Sequence, residues 1–266
     1  MAAELFRRGL RDHGRALLGW CAGAAAYVLF LCAIYPSIGG SADIEEVIQN
    51  LPDAVKAFFG LGAVDLTSGS GFVDTELFSI VLPLLAIALG IGSGARILAG
   101  EEESGRLELL LAYPLRRRSA TLAKGAAVGV ELLVLALVML VALAAAGLVF
   151  GLDLPFGHLV GGVIGVGLLG VLHGWLALAL GAAVPNRGLA IGVAAAFAGV
   201  GYLIGGLFSL ASWLEPFRFL SSFWWVGQSP LSSGVTWWHL AVVAAVALAL
   251  LLAASLLFER RDVETP

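Results

Sequence analysis

Six apolar segments constrain most strongly what this chain can fold into. A transmembrane helix needs about 20 consecutive apolar residues. Hydrophobic residues make up 60% of the chain and charged residues 13%, which is more apolar surface than one soluble core can bury. Ala and Leu dominate the segments without two-residue alternation, which disfavours strands. We therefore predict an all-α polytopic membrane protein with one transmembrane domain over residues 1–266 and six spans, at about 16–35, 77–98, 120–150, 157–184, 189–210 and 238–258.

Basic residues predict how the six spans are oriented. Of the 15 lysines and arginines, all but Lys56 and Arg218 fall on one side of the predicted membrane. The positive-inside rule then places both termini and the loop between spans 2 and 3 in the cytoplasm. Arginines and leucines share residues 3–18, which predicts an amphipathic interfacial helix before span 1. The apolar run that follows exceeds the about 7–15 residues of a cleavable signal peptide, so we expect it to be retained.

One short charged island, residues 96–118, interrupts this apolar chain on the predicted cytoplasmic side. From Glu101 onward, leucines at helical spacing predict a short amphipathic helix, and Pro114 ends it at or before Tyr113. Such a helix either lies on lipid or docks against a soluble protein. Three adjacent glutamates facing an anionic leaflet disfavour the lipid alternative. The island therefore favours a docking helix.

The island carries a family resemblance. Its run AGEEESGRLELLLAYPLRRRSATLAK resembles the cytoplasmic loop between spans 2 and 3 of type-2 ATP-binding-cassette (ABC) exporter permeases. The six spans, the large first external loop and the aromatic segment before span 6 match the layout of that family. The resemblance implies a coupling helix that sits in a groove of the ATPase subunit. The coupling residues it implies are Glu101, Glu102, Glu103, Gly105, Arg106, Leu107, Glu108, Leu111 and Pro114.

The resemblance also implies partners and a location. Two ABC ATPase subunits would bind ATP and Mg²⁺, so this chain would hold no cofactor. A second permease, expected to be a copy of this chain, would complete a homodimer in the bacterial cytoplasmic membrane. The substrate would be hydrophobic, such as a drug, an antibiotic or a lipid. A net charge of −4 excludes the basic surface that nucleic-acid binding requires.

The chain lacks the motifs of an enzyme. The phosphate-binding loop needs Gly-Lys-Ser/Thr, but Lys56 and Lys124 follow Val and Ala. Ser93 lies between two glycines, but Ile91 breaks both serine-hydrolase signatures, so we interpret Ser93 as a small packing residue. Cysteines and histidines show no metal-ligand spacing. ATP hydrolysis is therefore expected in a separate subunit, and no catalytic or metal site is predicted here.

Glu131 lies well within predicted span 3, and His173 lies near the middle of predicted span 4. Intramembrane ionisable groups are candidates for a substrate or proton contact in a translocation path. The alternatives are a buried structural pair, or a glutamate close enough to the headgroups to be hydrated. The runner-up function is a non-transport membrane protein, such as an intramembrane enzyme or an assembly factor. It would need Glu131, His173 and nearby serines to converge.

Aromatic residues crowd the segment between spans 5 and 6, residues 211–237, which we call the aromatic segment. It is too polar to span the membrane and aromatic enough for the outer interface. We predict that it re-enters the membrane from outside, and that Phe223, Trp224 and Trp225 form part of an external gate. Within the spans, glycines recur four residues apart, for example at Gly90 and Gly94, which predicts close helix packing.

Overall fold

The apolar segments all fold as helices in the computed structural model. It describes residues 2–38, 50–52, 55, 68–105, 117–208 and 213–261, with side chains from residue 13 onward except that of residue 38. No strand occurs in these ranges. Six helices are long and apolar enough to cross a membrane: span 1 (His13–Ser37, within helix Ala2–Ile38), span 2 (Gly69–Glu103), span 3 (Arg117–Phe150), span 4 (Phe156–Ala183), span 5 (Arg187–Leu207) and span 6 (Trp237–Arg260).

Span 2 differs most from its predicted bounds, whereas the ends of the other five lie within three residues of the prediction. It starts eight residues earlier because Ser68 caps it, with Ser68 Oγ accepting the backbone N–H of Gly71 at 3.0 Å. Two five-residue π-helical stretches, Asp74–Phe78 and Arg96–Gly100, interrupt its α-helical hydrogen bonding. The glycine- and serine-rich start of this helix is typical of a loop, so hydropathy alone missed it.

The N-terminal basic segment continues directly into span 1. Ala2–Ile38 is one unbroken helix, so no turn separates residues 3–18 from the apolar run. A distinct interfacial helix is therefore not confirmed. The physical reason is that Ala, Leu and Arg are strong helix formers and that no proline interrupts the chain before Pro36.

Span 4 lies at the centre of the bundle and packs against spans 2, 3, 5 and 6, while span 1 packs mainly on span 3. Spans 2 and 4 meet at glycines. A Cβ atom added to Gly94 would lie 2.0 Å from the Gly174 carbonyl oxygen, and one added to Gly90 would lie 2.2 Å from the Gly170 carbonyl oxygen. The predicted close packing at these glycines is confirmed, because nothing larger fits between the two backbones.

The aromatic segment consists of short helical pieces at Glu215–Leu220, Ser222–Val226 and Pro230–Ser233. The third piece is tied to the start of span 2. Both carboxylate oxygens of buried Asp74 accept backbone N–H groups, from Leu231 at 2.9 Å and Ser232 at 2.8 Å. These contacts hold the segment at the end of the bundle opposite Glu101–Glu103. Its re-entrant course stays a prediction.

Candidate functional site

Three consecutive glutamates, Glu101, Glu102 and Glu103, end span 2, and each carboxylate bonds to a different part of the protein. The partners, in that order, are Lys124 Nζ in span 3, Arg261 Nη2 just after span 6, and the backbone N–H of Arg187 at the start of span 5. The last of these hydrogen bonds measures 2.8 Å. We call these three contacts the carboxylate junction.

The junction follows from helix geometry. Successive side chains on an α-helix are rotated by about 100°, so three adjacent carboxylates cover most of the helix circumference. Glu103 meets the first turn of span 5, where free N–H groups and the helix dipole favour negative charge. Asn186 caps the same turn, because its side-chain oxygen accepts the Leu189 N–H at 2.8 Å. Three glutamates in a row can therefore bond to three helices.

The basic partners of the junction are themselves held in place. Lys124 is buried and also donates to the Ile97 carbonyl oxygen at 3.0 Å. The carbonyl oxygen of Arg261 accepts from Arg117 Nη1 at 2.5 Å. The guanidinium of Arg261 lies over the ring of Phe258, 5.9 Å from its centroid. The junction is therefore built into the end of the bundle, rather than formed by free surface side chains.

Gly105 ends the helix that the glutamates belong to. Its φ is +69°, and its N–H bonds to the Glu102 carbonyl oxygen at 2.9 Å, so the chain turns in a left-handed conformation that stops a helix. The prediction of one continuous helix from Glu101 onward is therefore wrong at this point. The remaining predicted coupling residues lie outside the described residues: Arg106, Leu107, Glu108, Leu111 and Pro114.

Glu131 lies at the meeting point of three spans and is 1% exposed. Its Oε1 is 2.6 Å from Nδ1 of His13 in span 1, and its Oε2 accepts the hydroxyl of Ser93 in span 2 at 2.6 Å. Both carboxylate oxygens of Glu131 thus have partners inside the protein. This is the arrangement expected if Glu131 belongs to a buried structural pair rather than to a translocation path. No sequence pattern links these residues, because His13 and Glu131 are 118 positions apart.

His173 forms a separate site in span 4 and is 0% exposed. Its Nδ1 donates to the Leu169 carbonyl oxygen at 2.8 Å within the same helix. Its Nε2 has no hydrogen-bond partner among the described residues. The ring centroid lies 5.8 Å from that of Phe197 and 6.4 Å from that of Phe223. The two predicted path residues therefore do not bond to each other, and their place in a path stays a prediction.

The three predicted gate residues come together in one aromatic cluster. Phe223 is buried and packs edge-on against Tyr202 of span 5, with ring centroids 5.3 Å apart. Trp224 and Trp225 are half-buried and meet edge to face at 5.0 Å. Both also contact the ring of His239 at the start of span 6, at 5.1 and 5.0 Å. The cluster therefore joins spans 5 and 6, while its role as a gate stays a prediction.

Ser93, Glu131 and His13 form the polar cluster that the runner-up function, an intramembrane enzyme, would need to use. Ser93 and His13 each bond to Glu131 rather than to each other, so the hydroxyl does not contact the imidazole as it would in a Ser-His-Asp triad. No group of three or more His, Cys, Asp or Glu side chains in the described ranges could hold a metal ion. Ser93 is buried at the packed face of span 2 and also supplies a hydrogen bond, a role that its sequence context did not indicate.

Comparison with known proteins identifies the kind of protein that this bundle represents. A family model described as the C-terminal domain of the multidrug efflux system permease Rv1217c matches residues 9–259. No curated protein matches the chain. The matched stretch contains all of spans 1 to 5 and reaches into the last turn of span 6. The family match indicates a multi-pass membrane protein that acts as a transporter permease rather than as a catalytic enzyme. The chain therefore belongs to the family defined by the C-terminal domain of this multidrug efflux permease.

Proposed function

We propose that the chain is the transmembrane permease subunit of a type-2 ABC exporter in the bacterial cytoplasmic membrane. It moves a hydrophobic drug, antibiotic or lipid outward, and both of its termini lie in the cytoplasm. Two separate ATPase subunits bind ATP and Mg²⁺ and hydrolyse the ATP. A second copy of the chain completes a homodimer. Family membership supports efflux, and the sequence of the island supports the ABC class.

The carboxylate junction is the observation that carries this proposal. A soluble motor can move a permease only if the segment that it pushes is attached to the spans. Glu101, Glu102 and Glu103 attach the last turn of span 2 to span 3, to the end of span 6 and to the start of span 5. A displacement of this turn therefore acts on several helices together, as rigid-body gating requires.

Coupling then divides into docking and transmission. We assign transmission to the three glutamates, whose carboxylates bond within the chain. We assign docking to the apolar and acidic residues that follow Gly105, chiefly Leu107, Glu108 and Leu111. A docking variant should lose the ATPase altogether. A transmission variant should keep the ATPase bound but lose the dependence of its activity on transported substrate.

Affinity purification from native membranes, followed by mass spectrometry, tests the proposal. The wild-type chain is expected to recover an ABC ATPase in an amount equimolar to itself. Leu107→Asp is expected to recover none. Glu102→Ala is expected to recover the ATPase but to lose substrate-stimulated ATP hydrolysis. Glu259→Ala is the matched control, because that carboxylate is exposed at the same end of the bundle. Recovery of the chain without any ATPase, or normal binding by Leu107→Asp, would show the proposal to be wrong.

A further inference from the structure

An apolar cavity of about 310 Å³ lies between spans 4, 5 and 6 and the aromatic segment. We call it the span 4–6 cavity. Its walls include Leu172 of span 4, Phe197 of span 5, Val243 and Val246 of span 6, and Trp225 of the aromatic segment. The volume is at the lower end of the range of small-molecule pockets, about 300–1,000 Å³. Val246 is 48% exposed, so the cavity opens on the outer surface of the bundle.

One buried polar group lines this cavity without a partner. Ser222 is 6% exposed, and its Oγ has no hydrogen-bond partner among the described residues. The other polar group in the wall, Trp225 Nε1, already donates to the Phe219 carbonyl oxygen at 2.8 Å. Roughly 90% or more of buried polar groups in proteins are paired, so an unpaired hydroxyl in an apolar wall indicates a missing partner.

A second unpaired polar atom belongs to a residue that packs against the cavity wall. His173 Nε2 is buried without a partner among the described residues, and the imidazole packs beside Phe197, a cavity residue. Its Nδ1 already donates to the Leu169 carbonyl oxygen. Among the described residues, no acidic or basic side chain lines the cavity. A charged ligand would therefore lose its hydration without gaining an ion pair, which favours a neutral occupant.

We propose that the span 4–6 cavity binds a neutral apolar molecule carrying one hydrogen-bonding group, which pairs with the hydroxyl of Ser222. The apolar part of the molecule packs against Leu172, Phe197 and Val246, and it enters from the surrounding membrane through the open side. Two sources supply this chemistry: the ester-linked acyl chain of a membrane lipid, and a free amphiphile such as a long-chain alcohol. The site belongs to a single copy of the chain and does not depend on coupling to an ATPase.

Photolabelling of the full-length chain in lipid vesicles tests this inference. One arm uses a C18 alcohol with a mid-chain diazirine, and the other uses phosphatidylethanolamine with the same diazirine on an acyl chain. Mass spectrometry then measures the labelling of Leu172 and Val243 relative to that of Leu248, which faces outward on span 6 and is 53% exposed. We expect the two cavity residues to be labelled preferentially by at least one probe.

Variants separate a built site from general contact with lipid. Ser222→Ala should lower labelling of the cavity about three- to tenfold, the loss expected for one neutral hydrogen bond, and Ser222→Thr should restore it. Val246→Trp fills the cavity and should lower labelling further. Leu248→Trp adds the same bulk outside the cavity and should have no effect. Because the hydroxyl of Ser222 bonds to none of the residues that the structure describes, Ser222→Ala should fold normally and elute with the wild type in size-exclusion chromatography.

The two arms identify the source, and the variants decide whether the site exists. Preferential labelling by the alcohol alone supports a free amphiphile as ligand, and labelling by the phospholipid supports a bound lipid. The inference is overturned if Leu172 is labelled no more than Leu248 by either probe. It is also overturned if labelling is unchanged in both Ser222→Ala and Val246→Trp. Since the readout is binding rather than transport, either result leaves the proposed exporter function untouched.

Discussion

The contact between spans 2 and 4 leads to a strong prediction for Gly94→Ala. The new Cβ atom would lie 2.0 Å from the Gly174 carbonyl oxygen, whereas ordinary contact begins at 3.4 Å. The obstructing atom belongs to a helix backbone and cannot rotate away, so the spans must separate by about 1.4 Å, the difference between these distances. Overpacking costs about 1–3 kcal/mol, and we expect the upper value because the obstructing atom is helix backbone rather than a flexible side chain.

Thermal unfolding of the purified protein in detergent measures this cost. For chains of this size a loss of 1 kcal/mol lowers Tm by about 2–4 °C, so Gly94→Ala should lower Tm by about 6–12 °C. Gly92→Ala is the matched control, since a Cβ atom at Gly92 would meet nothing within 4 Å. Gly174→Ala should have an intermediate effect, because its Cβ atom would lie 2.9 Å from the Gly90 carbonyl oxygen. Equal Tm values for Gly94→Ala and Gly92→Ala would refute this account of the interface.

Three further predictions concern buried carboxylates. Glu131→Ala leaves two polar partners unpaired in the bundle, and we expect a loss of about 3–5 kcal/mol, measured as a fall in Tm. Glu131→Gln retains one acceptor oxygen and should lose less. In a double-mutant cycle, Glu102→Ala and Arg261→Ala should be coupled by about 0.5–3 kcal/mol, measured by the same assay. Asp74→Asn replaces one of two acceptor oxygens with a donor and should cost about 1–3 kcal/mol, measured by thermal unfolding together with protease sensitivity of the aromatic segment.

Controls and contrary outcomes are specific to each carboxylate. For Glu131, Ser93→Ala should be milder than Glu131→Ala, and equal stability of Glu131→Ala and the wild type would contradict the buried network. For the Glu102 pair, additive losses in the double mutant would show that the two residues do not interact. For Asp74, the control is Glu215→Gln, an exposed carboxylate in the same aromatic segment. If both substitutions changed Tm and protease sensitivity equally, Asp74 would not be what holds the aromatic segment to span 2.

Hydropathy and charge predicted most of the architecture. The positions of spans 3 to 6 follow from apolar length alone, because the membrane requires long uninterrupted helices. The start of span 2 was missed because a serine cap and glycines look like a loop in a hydropathy profile. The break after Glu103 was missed for a related reason: Gly105 was counted within a helical pattern, although a glycine near a helix end often adopts positive φ.

The residues of the candidate site stand out in the sequence, whereas their contacts do not. The sequence distinguished Glu101–Glu103 and Glu131 as unusual, because carboxylates are rare in and beside apolar spans. It could not supply their partners, since Lys124, Arg261 and His13 approach them only through the packing of distant helices. Polar pairing between helices depends on their relative rotation and depth, and neither quantity is encoded in a local pattern.

The π-helical stretch Arg96–Gly100 contains one residue more than an α-helical turn would, and it lies directly before the carboxylate junction. A π-helical turn accommodates one residue more than an α-helical turn. If this stretch reverted to α-helix, Glu101 and the residues beyond it would advance by about 1.5 Å along the axis and rotate by about 100° around it. That rotation equals the angle between adjacent glutamates, so each carboxylate would move to the position that its neighbour occupies now. Such a change would shift the end of span 2 by one residue in register while its residues stay helical.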